Sequence, residues 1–243
     1  MNLIFVSSSD FCLPILESIL AAERDSLTLW QVFERQYLDL MDNVNAKEFE
    51  TKAINPGWWL EPGFLDKVRQ QLKSKSNSID SKVHLATVIT QPNTWNHSKE
   101  LYNPVAKFCL ENNIPIFQPT KLNQEISQLK EHIPNCDLGF LASFGQILNQ
   151  EVLDYPKFGF VNWHPSKLPC YRGATPMQTA IRRGDQNTAL SWLEMTKAMD
   201  AGNIWLQIEV NILATDTITN LSTKMGQLGA QTWAFGALGK LLS

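Results

Sequence analysis

Val161-Asn162-Trp163-His164-Pro165-Ser166-Lys167-Leu168-Pro169, followed by Tyr171-Arg172-Gly173-Ala174-Thr175-Pro176, is the stretch that decides how this chain is read. An apolar run (Phe158, Phe160, Val161) stops at two polar side chains spaced i and i+2. On a strand those two side chains point the same way. The prolines and the glycine that follow forbid the strand to continue. Asn162 and His164 are therefore expected side by side at the end of a buried strand, where open α/β sheets bind ligands. A carboxamide beside an imidazole suits acyl-group chemistry. The amide N–H can hold a developing oxyanion, and the imidazole can move a proton near neutral pH.

Working outward, the chain reads as alternating strands and helices. Leu3 to Val6 is a first strand, closed by Ser7-Ser8-Ser9-Asp10, a cluster able to cap the helix predicted over Phe11 to Ala22. Pro14 falls in that helix's first turn, where its missing N–H costs little. Further strands are predicted at His84–Thr90, Ile114–Phe117, Leu138–Ser143 and Phe158–Trp163. Helices are predicted at Pro104–Glu111, Leu122–Leu129 and Met177–Arg182, the last closing at Gly184-Asp185. Gln91 to Ser98 reads as a polar loop. Thr188–Met195 and Ile204–Ile212 read as a hairpin-like pair of strands, with Asp200-Ala201-Gly202-Asn203 between them. A closing helix spans Thr219 to Leu242, although Gly226, Gly229, Gly236 and Gly239 either weaken it or mark close packing on the sheet. The expected fold class is α/β, a doubly wound, mostly parallel Rossmann-like sheet.

Between about 23 and 82 the pattern changes. Trp30, Phe33, Tyr37, Leu38 and Met41 suggest one amphipathic helix, and Phe64, Val68 and Leu72 another. Asn55-Pro56-Gly57 and Glu61-Pro62-Gly63 are breakers, and Trp58-Trp59 reads as an anchor to the body. The stretch is taken as a helical insertion in one domain spanning 1–243.

Composition narrows the partners. The 243 residues are 44% hydrophobic and 19% charged with a net charge of −3, which supports a core and does not advertise a wholly basic face. Cys12, Cys109, Cys136 and Cys170 are scattered without CxxC spacing, which reads as free thiols in the cytoplasm. No run approaches the roughly 18 apolar residues of a membrane span. No His/Cys cluster has metal-ligand spacing, so no metal is expected. His84, His97 and His132 read as ordinary solvated or core histidines.

Asp200 adds the third polar group, at a turn after an apolar strand, with Gly202 giving the loop room to pass close to a ligand. Asn, His and Asp in this order and setting resemble the catalytic domain of the folate-dependent formyltransferases. The resemblance covers most of the chain outside about 23–82. Its core is Asn162-Trp163-His164-Pro165-Ser166-Lys167-Leu168-Pro169, similar to the family's Asn-x-His-(Pro/Gly)-Ser-Leu-Leu-Pro. Met199-Asp200-Ala201-Gly202-Asn203-Ile204 and Ser143-Phe144-Gly145-Gln146-Ile147-Leu148 look like two further family segments.

The resemblance implies a co-substrate, 10-formyltetrahydrofolate, and catalytic roles for Asn162, His164 and Asp200. A neutral amine would attack the formyl carbon. Asn162 and protonated His164 would hold the resulting oxyanion, while Asp200 orients His164 and helps a proton leave the amine. It also implies that the folate lies against Gln146, Ile147 and Leu148 and against the loop Ser166, Lys167, Leu168 and Pro169. Lys167 departs from the usual Leu, and its ammonium is a candidate partner for the folate's glutamate tail. Arg172 is either a surface charge or a contact for a substrate phosphate. Arg182-Arg183 reads as a solvated helix end.

Within the family, Tyr171-Arg172-Gly173-Ala174-Thr175-Pro176 and Thr90-Gln91-Pro92 look most like the enzymes that formylate methionyl-tRNA, implying charged initiator tRNA as the acceptor. Those enzymes usually add a C-terminal β-barrel domain, and none is expected within these 243 residues. The usually basic loop reads Asn93-Thr94-Trp95-Asn96-His97-Ser98-Lys99 here, which would neutralise phosphate weakly. Two other readings remain at this point. One is N-formylation of a small amine such as an amino-sugar nucleotide. The other is a catalytically inactive scaffold of the same fold, which an intact Asn162/His164/Asp200 set disfavours.

Overall fold

The computed structural model describes residues 1–45, 64–75, 77–96, 99–101 and 103–242. Strand β1 (Asn2–Ser7) leads through a 3-10 turn at Asp10–Cys12 into helix α1 (Leu13–Arg24). Helices α2 (Leu29–Asn45) and α3 (Phe64–Lys75) come next, then strand β2 (His84–Ile89). A small ribbon of β3 (Thr94–Asn96) and β4 (Lys99–Leu101) precedes α4 (Pro104–Glu111), β5 (Ile116–Phe117) and α5 (Leu122–His132). The chain continues through β6 (Leu138–Ala142), α6 (Gln150–Leu153), β7 (Phe160–His164) and α7 (Pro176–Arg183). It closes with β8 (Asn187–Glu194), β9 (Ile204–Asn211) and α8 (Ile218–Leu242).

Seven of these strands form one sheet in the order β5-β2-β1-β6-β7-β8-β9. The first five run parallel, and β8 and β9 are added antiparallel. Strand β1 is buried on both faces, which is why Leu3-Ile4-Phe5-Val6 reads as an unbroken apolar run rather than an alternating one. From β1 the chain goes first to β2 and later returns on the other side to β6, so the strand order switches direction between β1 and β6. That switch opens a crevice at the carboxyl ends of the strands.

Local sequence explains several boundaries. Asn103 caps α4 by accepting from the N–H groups of Val105 (2.9 Å) and Ala106 (3.3 Å), with Pro104 at the first helical position. Gly184, at φ +72°, ends α7 in the left-handed conformation that suits a residue without Cβ. Ser9 does not cap the helix that follows it. Its hydroxyl lies instead 2.8 Å from that of Ser143, beyond the end of β6. The polar loop expected over Gln91–Ser98 carries a strand, because Thr94–Asn96 pairs antiparallel with Lys99–Leu101.

The stretch expected to be an insertion contributes to the core. Trp30, Phe33 and Val68 are buried in the same cluster as α1 and α8. Gln36 binds α8 through both ends of its amide, donating to the Ala230 carbonyl (3.0 Å) and accepting from the Ala234 N–H (3.1 Å). Leu38 is on the outer side of α2 and is exposed. Trp58-Trp59 and the two breakers lie outside the described residues.

Helix α8 is continuous despite its glycines, and contact distances supply the reason. A Cβ at Gly226 would sit 2.2 Å from the Phe11 carbonyl oxygen, and one at Gly236 would sit 2.8 Å from the Trp192 ring. The missing side chains let α8 lie close against the sheet and the Asp10–Cys12 turn. Gly226→Ala gains roughly 1 kcal/mol of helix propensity. It loses more by forcing backbone apart, at about 1–3 kcal/mol or above. The expected outcome is a lower thermal midpoint, by about 2–4 °C per kcal/mol of net loss. An unchanged or raised midpoint in calorimetry would refute the packing account.

Candidate active site

Strand β7 is buried at every position, and Pro165 ends it. Asn162 and His164 keep only 7% and 5% of their surface exposed. Polar groups this deep need partners. Asp200 supplies one that both share. Its Oδ1 accepts from the Asn162 amide at 2.9 Å. Its Oδ2 lies 3.6 Å from His164 Nδ1. The same Oδ2 accepts from the main-chain N–H of Gly173 at 2.7 Å. The three side chains expected to act together do meet, although Asp200 is 38 residues from Asn162 in the chain.

Asp200 reaches this place through an unusual backbone. Its φ is +48°, in the left-handed region that most side chains avoid and that aspartate visits more readily. Gly202 lets the loop close behind it, since a Cβ there would sit 2.0 Å from the Glu194 carbonyl oxygen. Such strain persists where surrounding contacts over-determine it, as the three contacts of the carboxylate do here.

The loop after β7 holds the site with main-chain groups. The Tyr171 carbonyl lies 3.0 Å from His164 Nε2. A carbonyl only accepts, so Nε2 carries the donated proton. Nδ1, the other ring nitrogen, faces Asp200. Two residues on, Gly173 gives its N–H to Asp200. Tyr171 and Gly173 both have positive φ, +56° and +100°. The Tyr171 ring is itself clamped: its hydroxyl donates to Asp185 (2.6 Å), and the Arg183 guanidinium stands 5.3 Å from the ring centre. Donation to the Asp185 carboxylate holds the Tyr171 phenol above its usual range. Arg183, expected to be a solvated helix end, thus has a structural contact.

A cavity of about 440 Å³ opens over these groups. Asn162, His164 and Asp200 line it, together with Gln146, Ile147 and Leu148. The Gln146 side chain is tied to the start of α5, accepting from the Leu122 N–H at 2.9 Å. Gln91, from the Thr90-Gln91-Pro92 segment, braces the same turn by donating to the Phe144 carbonyl (2.5 Å). Ser166, Lys167, Leu168 and Pro169 are not among the lining residues. Ser166 and Leu168 are buried, and the Lys167 ammonium pairs with Glu209 at 2.8 Å. Arg172 is exposed and also lies outside the cavity wall.

Residues not singled out from sequence complete the wall, notably Ser9, Phe11, Met177 and Met199. Ser9 had a signal: it follows the carboxyl end of the first strand, on the crevice side of the sheet. Met199 (56% exposed) and Ile147 (73% exposed) give the cavity two bare apolar side chains. Asn162 Nδ2 has a second N–H beyond the one given to Asp200, and the residue borders open space. The arrangement can thus donate to an oxygen in the cavity while His164 and Asp200 handle a proton beside it. Among the described residues no His/Cys/Asp/Glu group is arranged to hold a metal ion.

Comparison with known proteins identifies the family of this chain. The family described as formyl transferase matches residues 61–234. The chain is a member of the formyl transferase family. A methionyl-tRNA formyltransferase from Buchnera aphidicola subsp. Schizaphis graminum is 39% identical over 154 residues, covering 62% of this chain and 49% of the relative. Another, from Clostridioides difficile, is 37% identical over 156 residues, covering 63% and 50%. The chain spans about half the length of the curated relatives it matches.

Solved formyl transferases share the fold. Phosphoribosylglycinamide formyltransferase from Bacillus halodurans superposes with a TM-score of 0.60 at 19% identity, over 100% of this chain and 96% of that one. A sugar N-formyltransferase from a Shewanella species gives 0.54 at 16%, over 99% and 70%. The doubly wound, mostly parallel sheet expected from sequence is the one these enzymes have.

The Gly173 contact can be tested directly. Gly173→Ala places a Cβ on a backbone at φ +100°, so the loop must shift and the N–H leave Asp200. Displacements of this kind near 1 Å cost about 100-fold in rate. Turnover in a formyl-transfer assay is expected to fall by about 10-fold or more, together with a lower thermal midpoint from the strained backbone and the lost donor. Unchanged turnover would show that the N–H contact does not set the carboxylate.

Proposed function

We propose that this chain transfers a formyl group from 10-formyltetrahydrofolate to the amine of methionyl-tRNA. The observation that carries the reading is the Asp200 carboxylate joining Asn162 and His164 on the wall of a cavity. The 36–39% identity to proteins named methionyl-tRNA formyltransferase supports the acceptor.

The folate supplies the activated formyl carbon. The cavity's size lies in the range of small-molecule sites. Gln146–Leu148 on its wall would meet a flat pterin with donors and acceptors along one edge. Ser166–Pro169 we assign to support of the site rather than to its wall. Asn162 would donate its second N–H to the formyl oxygen as charge builds there. Both His164 nitrogens are engaged, Nε2 with the Tyr171 carbonyl and Nδ1 beside Asp200, so we assign His164 not to the oxyanion, as the resemblance implied, but with Asp200 to the proton released when the amine bonds to the formyl carbon. They would return it to the folate nitrogen as that nitrogen's bond to carbon breaks.

Three buried cysteines support a reducing compartment, and we place the protein in the cytoplasm on that basis. Burial pushes the Cys12, Cys109 and Cys136 thiols up to about 12, so they stay unreactive. Among the described residues no helix is long and apolar enough to cross a membrane.

The test is a formyl-transfer assay with 10-formyltetrahydrofolate, comparing charged initiator methionyl-tRNA with an amino-sugar nucleotide. The expected result is turnover with the tRNA, weakening as salt rises. Asn162→Ala is expected to lower turnover by about 100- to 1,000-fold, the usual loss for one oxyanion donor. His164→Ala is expected to abolish it. Turnover with the sugar nucleotide alone would overturn the acceptor. A His164→Ala variant that keeps most of its rate would overturn the mechanism.

A further inference from the structure

Strands β7, β8 and β9 place His164, Ser191 and Gln207 on one rung. His164 pairs with Ser191, and Ser191 pairs with Gln207. Residues directly opposite on antiparallel strands share a face of the sheet. Strand β8 is buried from Thr188 to Leu193, so a hydroxyl and an amide on this rung require partners. They find them in the loop that follows β7.

Ser191 Oγ donates to the Ser166 carbonyl at 2.7 Å. Gln207 Nε2 donates to the Leu168 carbonyl at 3.1 Å and to Ser191 Oγ at 2.9 Å. Both amide hydrogens of Gln207 are therefore used. Ser166 Oγ turns the loop on itself by donating to the Cys170 carbonyl at 2.7 Å. Lys167 and Glu209 fasten its outer side. The next residue is Tyr171, whose carbonyl holds His164 Nε2. The rung thus reaches His164 by a second route: across the sheet to Gln207, up into the loop, and back through Tyr171 to the imidazole.

We propose that Ser191 and Gln207 are positioning residues for formyl transfer. They set the height of the Ser166–Cys170 loop above the sheet, and with it the carbonyl that fixes the His164 ring. This rests on the reading of His164 as the group that moves the proton. A purely structural role for the two residues would lower stability without changing His164 itself, and that difference makes the proposal testable.

The experiment uses the whole chain with nitrogen-15-labelled histidine. The chain has 4 histidines, so His164 is assigned by comparison with His164→Gln. In the parent protein His164 is expected to show a proton on Nε2 in slow exchange with water. In Gln207→Leu and Ser191→Ala that exchange is expected to quicken by at least about 10-fold, with the other histidines unmoved. Turnover is expected to fall by about 10-fold or more while KM for the folate stays within about twofold. Ser191→Ala removes one hydroxyl and little volume, so it decides the matter if Gln207→Leu does not fold. Unaltered Nε2 exchange in a folded variant would overturn the proposal. Absence of turnover in the parent protein with methionyl-tRNA would count against the proposed function instead, because the exchange measurement needs no substrate.

Discussion

A carboxylate held away from water must be matched by donors, and Asp200 has two, with the His164 ring 3.6 Å away as a third contact. With its side chain only 10% exposed, it would be costly to bury if the Asn162 amide, the Gly173 N–H and the His164 ring were not around it. That requirement organises the site. It draws the β8–β9 connection over the end of β7 and holds Asp200 in a left-handed backbone. It also ties the loop after β7 to the loop before β9. The strand end alone would present two neighbouring polar groups. The carboxylate turns them into a unit with one open amide hydrogen and one ring nitrogen beside the charge.

The support for this unit is largely main chain. The Tyr171 carbonyl and the Gly173 N–H do the holding, and the side chains of Asp185, Arg183, Ser191 and Gln207 hold the main chain. Main-chain groups leave little imprint on residue type. This explains why Asn162, His164 and Asp200 are legible in the sequence while their supports are not. Gly173 is visible as a turn glycine, but its donor role depends on where Asp200 arrives. Ser191 and Gln207 look like ordinary strand residues until the antiparallel register sets them beside His164.

The fold shows the same division. Unbroken apolar runs such as Leu3–Val6 and Leu138–Ala142 identify the parallel strands, and the Asn103-Pro104 pair marks the start of α4. Local propensity misleads where tertiary contacts dominate. The glycines of α8 weaken it as an isolated helix yet permit the close approach to Trp163, Trp192 and Trp205 that seats it. The Ser9 hydroxyl favours Ser143 over a cap that sequence would assign to it. Helices α2 and α3 interrupt the strand–helix alternation, and their burial on α8 makes them part of the same core.

Asp200→Asn measures the central claim most directly. An amide in place of the carboxylate keeps the shape, offers a single acceptor oxygen and removes the charge facing His164. The account predicts that turnover of formyl-folate falls by at least about 100-fold while the fold and folate-analogue affinity are kept. A variant that turns over within about threefold of the parent would contradict it.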